Sequence, residues 1–266
     1  MKKALLDHKE IAYELSGQGN CLVLVHGFPM DHRVWDDFSK SLSTHFKVIC
    51  PDLPGFGASA MMGESHSMNL MARAVKAVLD EEKVERCVFV GHSMGGYVGL
   101  AFAKQFPDRL AGLTLFHSQA AADDEQAQIR RNEAIVQVIT DKNNYLDQFL
   151  PGLFDPAFPA THQPTVAAFD NIVRDQSEKA IVAALSGMRD RESHISLMTK
   201  ISRPVLFILG KSDARMPAVK IMAQAGLPQH AEMLMLEHVG HMGFAEAPLV
   251  TKLGIRYFAE KCFILQ

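Results

Sequence analysis

A serine hydroxyl is a weak nucleophile at neutral pH, and it becomes reactive when an imidazole takes its proton and a carboxylate fixes that imidazole. One stretch of this chain offers a serine in a setting suited to that chemistry. In Val88-Phe-Val-Gly-His-Ser-Met-Gly-Gly-Tyr97 a short apolar run stops at a glycine, presents Ser93, and runs on into a helical pattern. Gly91 and Gly95 sit two residues either side of the serine, where a tight strand-to-helix turn leaves no room for a Cβ. The candidate base is His241, in Val239-Gly-His241. The candidate carboxylate is Asp213, the first acid after the apolar run Val205-Leu-Phe-Ile-Leu209. Competing histidines are less well placed: His26 and His92 flank turns and are expected to hydrogen-bond locally, His117 ends a strand, and His194 lies in a helical region. Among the acids, Asp190 and Glu192 fall in that same region, Glu237 ends a strand, and Glu246 opens the last helix as a dipole or capping charge.

These side chains need a scaffold that brings distant loops together. From Leu22 onward apolar runs alternate with helical patterns: Leu22 to Val25, a helix from Val34 to His45, Lys47 to Cys50, a helix from Met68 to Glu82, then Cys87 to Val90. Alternation of this kind predicts a parallel sheet with helices on both faces. Before it, Ile11-Ala-Tyr-Glu-Leu15 and a shorter run around the turn Asp7-His8-Lys9 predict two antiparallel edge strands. After the serine come a helix from Met94 to Phe106, a buried strand from Leu110 to Phe116, and later runs at Val205 and at Ala231 to Glu237, closed by a helix after Pro248.

The order Ser, Asp, His along the chain, the glycine-flanked serine and the run Cys21 to Val25 ending in His26-Gly27-Phe28 together resemble the α/β-hydrolase superfamily, from about Glu10 to about Phe258. The likeness is greatest to its small esterase, haloperoxidase-like and lactonase branches. It implies an α/β fold: a mostly parallel eight-stranded sheet with helices on both faces and a helical cap inserted after the sixth strand. It also implies a Ser93, Asp213, His241 triad and an oxyanion hole made from the backbone N–H groups of Phe28 and Met94. Pro29 has no N–H and cannot replace Phe28. In Asp52-Leu-Pro-Gly-Phe-Gly-Ala-Ser59, Asp52 and Ser59 are expected to hold the loop's shape. Serine at position 93 sets the chain apart from the aspartate-nucleophile relatives that open epoxides or remove halides.

Residues 119–201 differ in character from their surroundings. Helices are expected at Asp124 to Thr140, at Thr165 to Arg174 behind Pro164, and at Ser177 to Met188. Hence the expected organisation is a hydrolase core of residues 1–118 and 202–266, with 119–201 as a lid. Between the first two helices, Phe149-Leu-Pro-Gly-Leu-Phe-Asp-Pro-Ala-Phe-Pro159 is rich in proline and apolar groups. Some of Phe149, Leu150, Leu153, Phe154 and Phe158 are expected to face the pocket, with Phe154 and Phe158 as its wall toward neutral acyl groups of short to medium length.

Composition bounds the rest. A formal net charge of -3 with 21% charged residues gives no basic field for nucleic acid or an anionic membrane. No apolar run approaches a membrane span, and Met1-Lys-Lys-Ala-Leu-Leu before Asp7 is too short for a signal peptide, so a soluble, cytoplasmic protein is expected. Cys21, Cys50, Cys87 and Cys262 are scattered and read as buried free thiols. Twelve histidines notwithstanding, no His-Glu-x-x-His or paired-cysteine spacing occurs, so no metal and no cofactor is expected. The expected activity is hydrolysis of a small-molecule carboxylic ester through an acyl-enzyme. Perhydrolysis, lactone opening and carbon-carbon bond hydrolysis remain as alternatives on the same residues, and a ligand-binding receptor on this scaffold is the alternative of a different class.

Overall fold

The computed structural model describes residues 1–264. Eight strands form one sheet: β1 (Lys2–Leu6), β2 (Lys9–Ser16), β3 (Cys21–Val25), β4 (Lys47–Pro51), β5 (Cys87–His92), β6 (Leu110–Phe116), β7 (Val205–Gly210) and β8 (Ala231–Leu236). Their spatial order is β1-β2-β4-β3-β5-β6-β7-β8. The β1–β2 and β2–β4 pairs are antiparallel, and every later pair is parallel. Strands β3, β5, β6 and β7 are buried along their whole length, as near-continuous runs of Val, Leu, Ile and Phe require when helices cover both faces. Each such side chain contributes about 1.5–3 kcal/mol by leaving water.

The covering helices are α1 (Asp36–Leu42), α2 (Met68–Glu81), α3 (Met94–Gln105), then α4 (Glu125–Thr140), α5 (Lys142–Phe149), α6 (Phe158–Thr161), α7 (Gln163–Arg174), α8 (Glu178–Arg189) and α9 (Ile195–Met198) between β6 and β7, followed by α10 (Ala218–Ala225), α11 (Gly243–Glu246) and α12 (Pro248–Ile264). Amphipathic α2 shows how the sequence does this: Ser67 caps it by accepting from the Leu70 amide, and Met71, Val75, Val78 and Leu79 form its buried face. Most expected elements lie within a residue or two of these bounds. The first expected helix differs, because Asp31 caps a 3-10 turn at His32–Trp35 before α1 begins, and α1 ends at Leu42 rather than His45. Helix α5 has no expected counterpart: its segment is short and mostly polar, and it packs through Tyr145, Leu146 and, at its end, Phe149. Among the described residues no helix is long and apolar enough to cross a membrane.

Because β3 to β8 run parallel on either side of β3, the loops after β3, β5, β6, β7 and β8 all emerge at one edge of the sheet. The chain passes from β3 to β4 on one side and then to β5 on the other, so the crevice of this open sheet lies between the ends of β3 and β5. Phe28 follows the first of these strands and Ser93 the second.

Candidate active site

Ser93 stands between β5 and α3 with φ 51° and ψ -113°, a left-handed conformation that costs a residue with a Cβ about 1–3 kcal/mol. The surroundings hold it there. Its amide donates to the Phe116 carbonyl at 2.8 Å, and its own carbonyl accepts from the Ser118 hydroxyl at 2.8 Å. The flanking glycines are steric necessities: a Cβ on Gly91 would lie 2.2 Å from the Gly95 carbonyl oxygen, and one on Gly95 would lie 2.4 Å from the Val25 carbonyl oxygen. The turn therefore presses directly on β3.

Asp213 follows β7 and is held by four donors. Its Oδ1 accepts from the backbone amides of Arg215 and Met216, both at 2.9 Å. Its Oδ2 accepts from His241 Nδ1 at 2.7 Å and His117 Nδ1 at 3.0 Å. Burial alone would raise this carboxyl, but it is outweighed by His241 and then His117, and Asp213 is held well below the usual carboxylate range. His117 is fully buried, which depresses its own protonation, so the neutral ring donates Nδ1–H and leaves Nε2 without a partner among the described residues.

His241 lies in the loop after β8, and that loop is fastened from three sides. His92 Nε2–H donates to the His241 carbonyl at 2.8 Å. Burial, reinforced by His241 and His117 nearby, pushes the His92 ring well below its ordinary value and keeps it neutral. The His241 amide donates to the Leu153 carbonyl at 2.7 Å. Glu246 accepts from the amides of Gly240 at 3.0 Å, Met242 at 2.9 Å and Asp155 at 2.7 Å, so one carboxylate ties the histidine loop to the segment between α5 and α6.

Two expectations change here. His92 bonds not locally but to a residue 149 positions away, and His26 bonds both to the adjacent Gly27 carbonyl and to the Leu53 amide. Glu246 ends the short α11 rather than opening the last helix; it does act as a cap, accepting from the amide of the N-cap residue Met242, and by accepting also from the amides of Gly240 and Asp155 it organises the histidine loop. Asp190, Glu192 and Glu237 lie away from the site in ion pairs with Arg189, Lys104 and Lys211.

A cavity of about 1020 Å³ opens beside Ser93 and His241 and is lined also by Phe28, Tyr97 and Phe149. No hydrogen bond joins the Ser93 hydroxyl to the His241 imidazole among the described residues; in enzymes without substrate such a bond is often long and forms on binding. The amides of Phe28 and Met94 have no acceptor among the described residues. Phe28 lines the cavity, whereas Met94 is fully buried behind Ser93 as the first residue of α3, where an amide is left free.

Phe154 and Phe158 are not among the cavity's lining residues. Phe154 stacks on Phe158 with ring centroids 5.4 Å apart and contacts Phe169, which in turn meets Phe244 at 5.8 Å, so this aromatic row pins the helices to the core. Gly240 explains the geometry, since a Cβ there would strike the Phe154 carbonyl carbon at 2.5 Å. On the α5 side the aromatic wall of the cavity comes from Phe149 and Tyr145, facing Phe28 and Tyr97 of the core. Nor is that wall without positive charge: Arg130, Arg131, Arg215 and Lys220 line it.

Other sequence-derived positions act at a distance. Asp52 accepts from the His32 amide and ring and from the Ala58 amide, and the Ser59 hydroxyl bridges the Asp52 carbonyl and the Ala12 amide, so both residues shape their loop. All four cysteines are buried and free. Two groups bring potential metal-ligand atoms within 4.8 Å of one another, His117, Asp213, His241 and Asp31, His32, Asp52. In both, the carboxylates are already engaged by imidazole, guanidinium or amide donors.

Comparison with known proteins places this architecture. Residues 20–248 match the family model described as alpha/beta hydrolase fold. The chain is similar to the pimeloyl-[acyl-carrier protein] methyl ester esterase of Vibrio cholerae, 28% identical over 244 residues that cover 87% of this chain and 91% of the relative. It is 30% identical over 239 residues, 88% of its length, to the dihydrolipoyllysine-residue acetyltransferase component of an acetoin cleaving system of Pseudomonas putida, of whose length it spans 62%. Among solved structures, a thermophilic esterase from Thermogutta terrifontis, determined with malate bound, superposes with TM-score 0.94 and 28% identity over 98% of both chains. The chain belongs to the alpha/beta hydrolase fold family.

Proposed function

We propose that this hydrolase cleaves carboxylic esters of small molecules through an acyl-enzyme on Ser93. The observation that carries the proposal is the aligned set at one cavity: a serine forced into a left-handed elbow, and an imidazole whose Nδ1–H is donated at 2.7 Å to a carboxylate held by three further donors. Asp213 selects the His241 tautomer in which Nε2 carries the lone pair. In acylation, Ser93 Oγ attacks the ester carbonyl as His241 Nε2 takes its proton, and the resulting oxyanion is received by the free amides of Phe28 and Met94. Each such donor is worth about 3–4 kcal/mol in the transition state by analogy with a measured oxyanion hole. Collapse of the intermediate breaks the carbon-oxygen bond, and the imidazolium returns the proton to the departing alcohol. Water, deprotonated by His241, then attacks the acyl group and releases the acid and Ser93. The esterases among the relatives support this chemistry. Helices α4 to α9 are proposed as a cap over the cavity, a role supported by the lining residues that α4, α5 and α8 contribute.

The test uses a fluorophosphonate probe and p-nitrophenyl esters on the purified protein. Labelling of Ser93, with loss of ester hydrolysis in Ser93→Ala and retention of its fold by circular dichroism, is the expected result. Labelling of another residue, or full activity in the alanine variant, would refute the mechanism.

A further inference from the structure

The acidic and basic groups around the cavity are not balanced. Both oxygens of Asp123 are taken, one by Arg131 at 3.1 Å and the other by Arg191 at 2.6 Å. Asp124 turns Oδ1 to the Ala127 amide at 2.8 Å to cap α4 and is the one cavity-lining acid of this pair without a cationic partner among the described residues. Against these, Arg130, Lys220 and Arg215 line the same cavity, and among the described residues none of the three has a carboxylate partner at ion-pair distance. Arg215 is the best prepared of them. Its guanidinium lies 3.9 Å from the Phe149 ring centroid, and one Nη2–H donates to the Phe149 carbonyl at 2.8 Å. Those two contacts fix the plane of the group while leaving its other N–H donors open. Its backbone amide is bonded to Asp213 Oδ1, so the cation is set two residues from the carboxylate that orients His241. A stacked, pre-oriented guanidinium with an unused edge is suited to grip a planar carboxylate through two parallel hydrogen bonds.

We propose that the cavity takes esters whose body carries a free carboxylate, held by Arg215, with Arg130 and Lys220 supplying the surrounding positive field. This deepens the ester-hydrolase proposal and rests on it. It also replaces the neutral, apolar acyl preference expected from the phenylalanine-rich segment. A carboxylate on the substrate would meet a charged, weakly hydrated and pre-oriented guanidinium at the rim of the cavity; Arg215, Arg130 and Lys220 are exposed there, so the fixed geometry of two parallel hydrogen bonds rather than a dry setting supplies the grip.

The experiment compares the monoethyl half-esters of succinic, adipic and suberic acids with the matching diethyl esters, following acid release by pH-stat. For at least one chain length the half-ester is expected to show a kcat/KM at least tenfold above its diester. In Arg215→Gln that ratio should fall at least tenfold, chiefly through KM, and Arg215→Lys should recover part of it. A diester preferred at every length, or an Arg215→Gln variant that slows both substrates alike, would overturn the proposal. The wild-type ratio decides the matter even if the variant fails to fold. Ser93-dependent hydrolysis of p-nitrophenyl acetate separates the two proposals: if it persists without any half-ester preference, only the anion site is wrong. If no ester is turned over, calorimetric titration of the wild type with adipate still decides, and absence of binding at millimolar adipate would sink the site as well.

Discussion

Glu246 is the side chain whose removal should loosen His241, the proposed base, without touching it. Its two oxygens accept from three amides, those of Asp155, Gly240 and Met242, and the residue is partly buried. Burial raises this carboxyl from its ordinary value while the three amides act in the opposite sense. Glu246→Ala strands all three donors. An amide left without an acceptor costs about 1–3 kcal/mol, and the low end applies where water can enter, so the loss should be about 3 kcal/mol of unfolding free energy. Glu246→Gln keeps one carbonyl oxygen, which can serve the two amides that share Oε2, and turns an NH₂ toward the third. Its loss should be about 1–2 kcal/mol. Because Gly240 and Met242 flank His241, kcat should fall with stability, and the alanine variant should fall further. Urea unfolding, with the denaturant slope checked for constancy, and kcat on p-nitrophenyl acetate measure both effects. An alanine variant within 0.5 kcal/mol of wild type by that estimate, with unchanged kcat, would mean that the Glu246 clamp does not hold the loop.

The remaining predictions concern neighbours of the same network. His117→Leu removes one of the four donors to Asp213 and places a γ-branched side chain at φ 50°; it should lower kcat about tenfold, with His117→Asn, which tolerates that conformation and keeps a donor, retaining more. Asp213 titrates far below its unfolded value, so the stability it contributes is fully present above about pH 4 and is lost as pH falls further; Asp213→Asn should flatten acid unfolding in that range, and an unchanged profile would contradict this. Gly95→Ala should lower the melting temperature by about 4–12 °C, what a clash of about 2–3 kcal/mol with the Val25 carbonyl would do in a domain of this size. Phe158→Ala should lower thermal stability and leave the acyl chain-length profile unmoved, whereas Phe149→Ala should move it.

What could be read from the sequence was local or repetitive. The elbow was legible because its glycines answer to a clash within five residues and one neighbouring strand. The parallel sheet was legible because doubly covered strands carry unbroken apolar runs. Asp213 and His241 were legible by chain order. His117 reads as a strand end, and nothing in its neighbours signals that it shares Asp213 with His241 across 96 positions. His92 and the reach of Glu246 to Asp155 are hidden for the same reason, since each bond joins segments distant in the chain, 149 and 91 positions apart. Of the apolar segment expected at the pocket, Phe149 does line it, joined by Tyr145, whereas Phe154 and Phe158 do not. Apolar count locates a buried segment, but only the rotation of α5 and the packing of Phe154 on Gly240 decide which rings face the cavity. The positive wall is not legible in the sequence because a net charge of -3 conceals how charges pair: Asp123 is consumed by Arg131 and Arg191, leaving Arg130, Arg215 and Lys220 without carboxylate partners at ion-pair distance among the described residues.

The central claim is a covalent acyl group on one serine. Acid quenching of the protein during p-nitrophenyl acetate turnover, followed by intact and peptide mass spectrometry, tests it directly. The account predicts one acetyl group per chain on Ser93, accumulating with a burst of p-nitrophenol in step with it and vanishing in Ser93→Ala. Turnover at the same rate with no acetylated protein, or with the acetyl group on another residue, would contradict it.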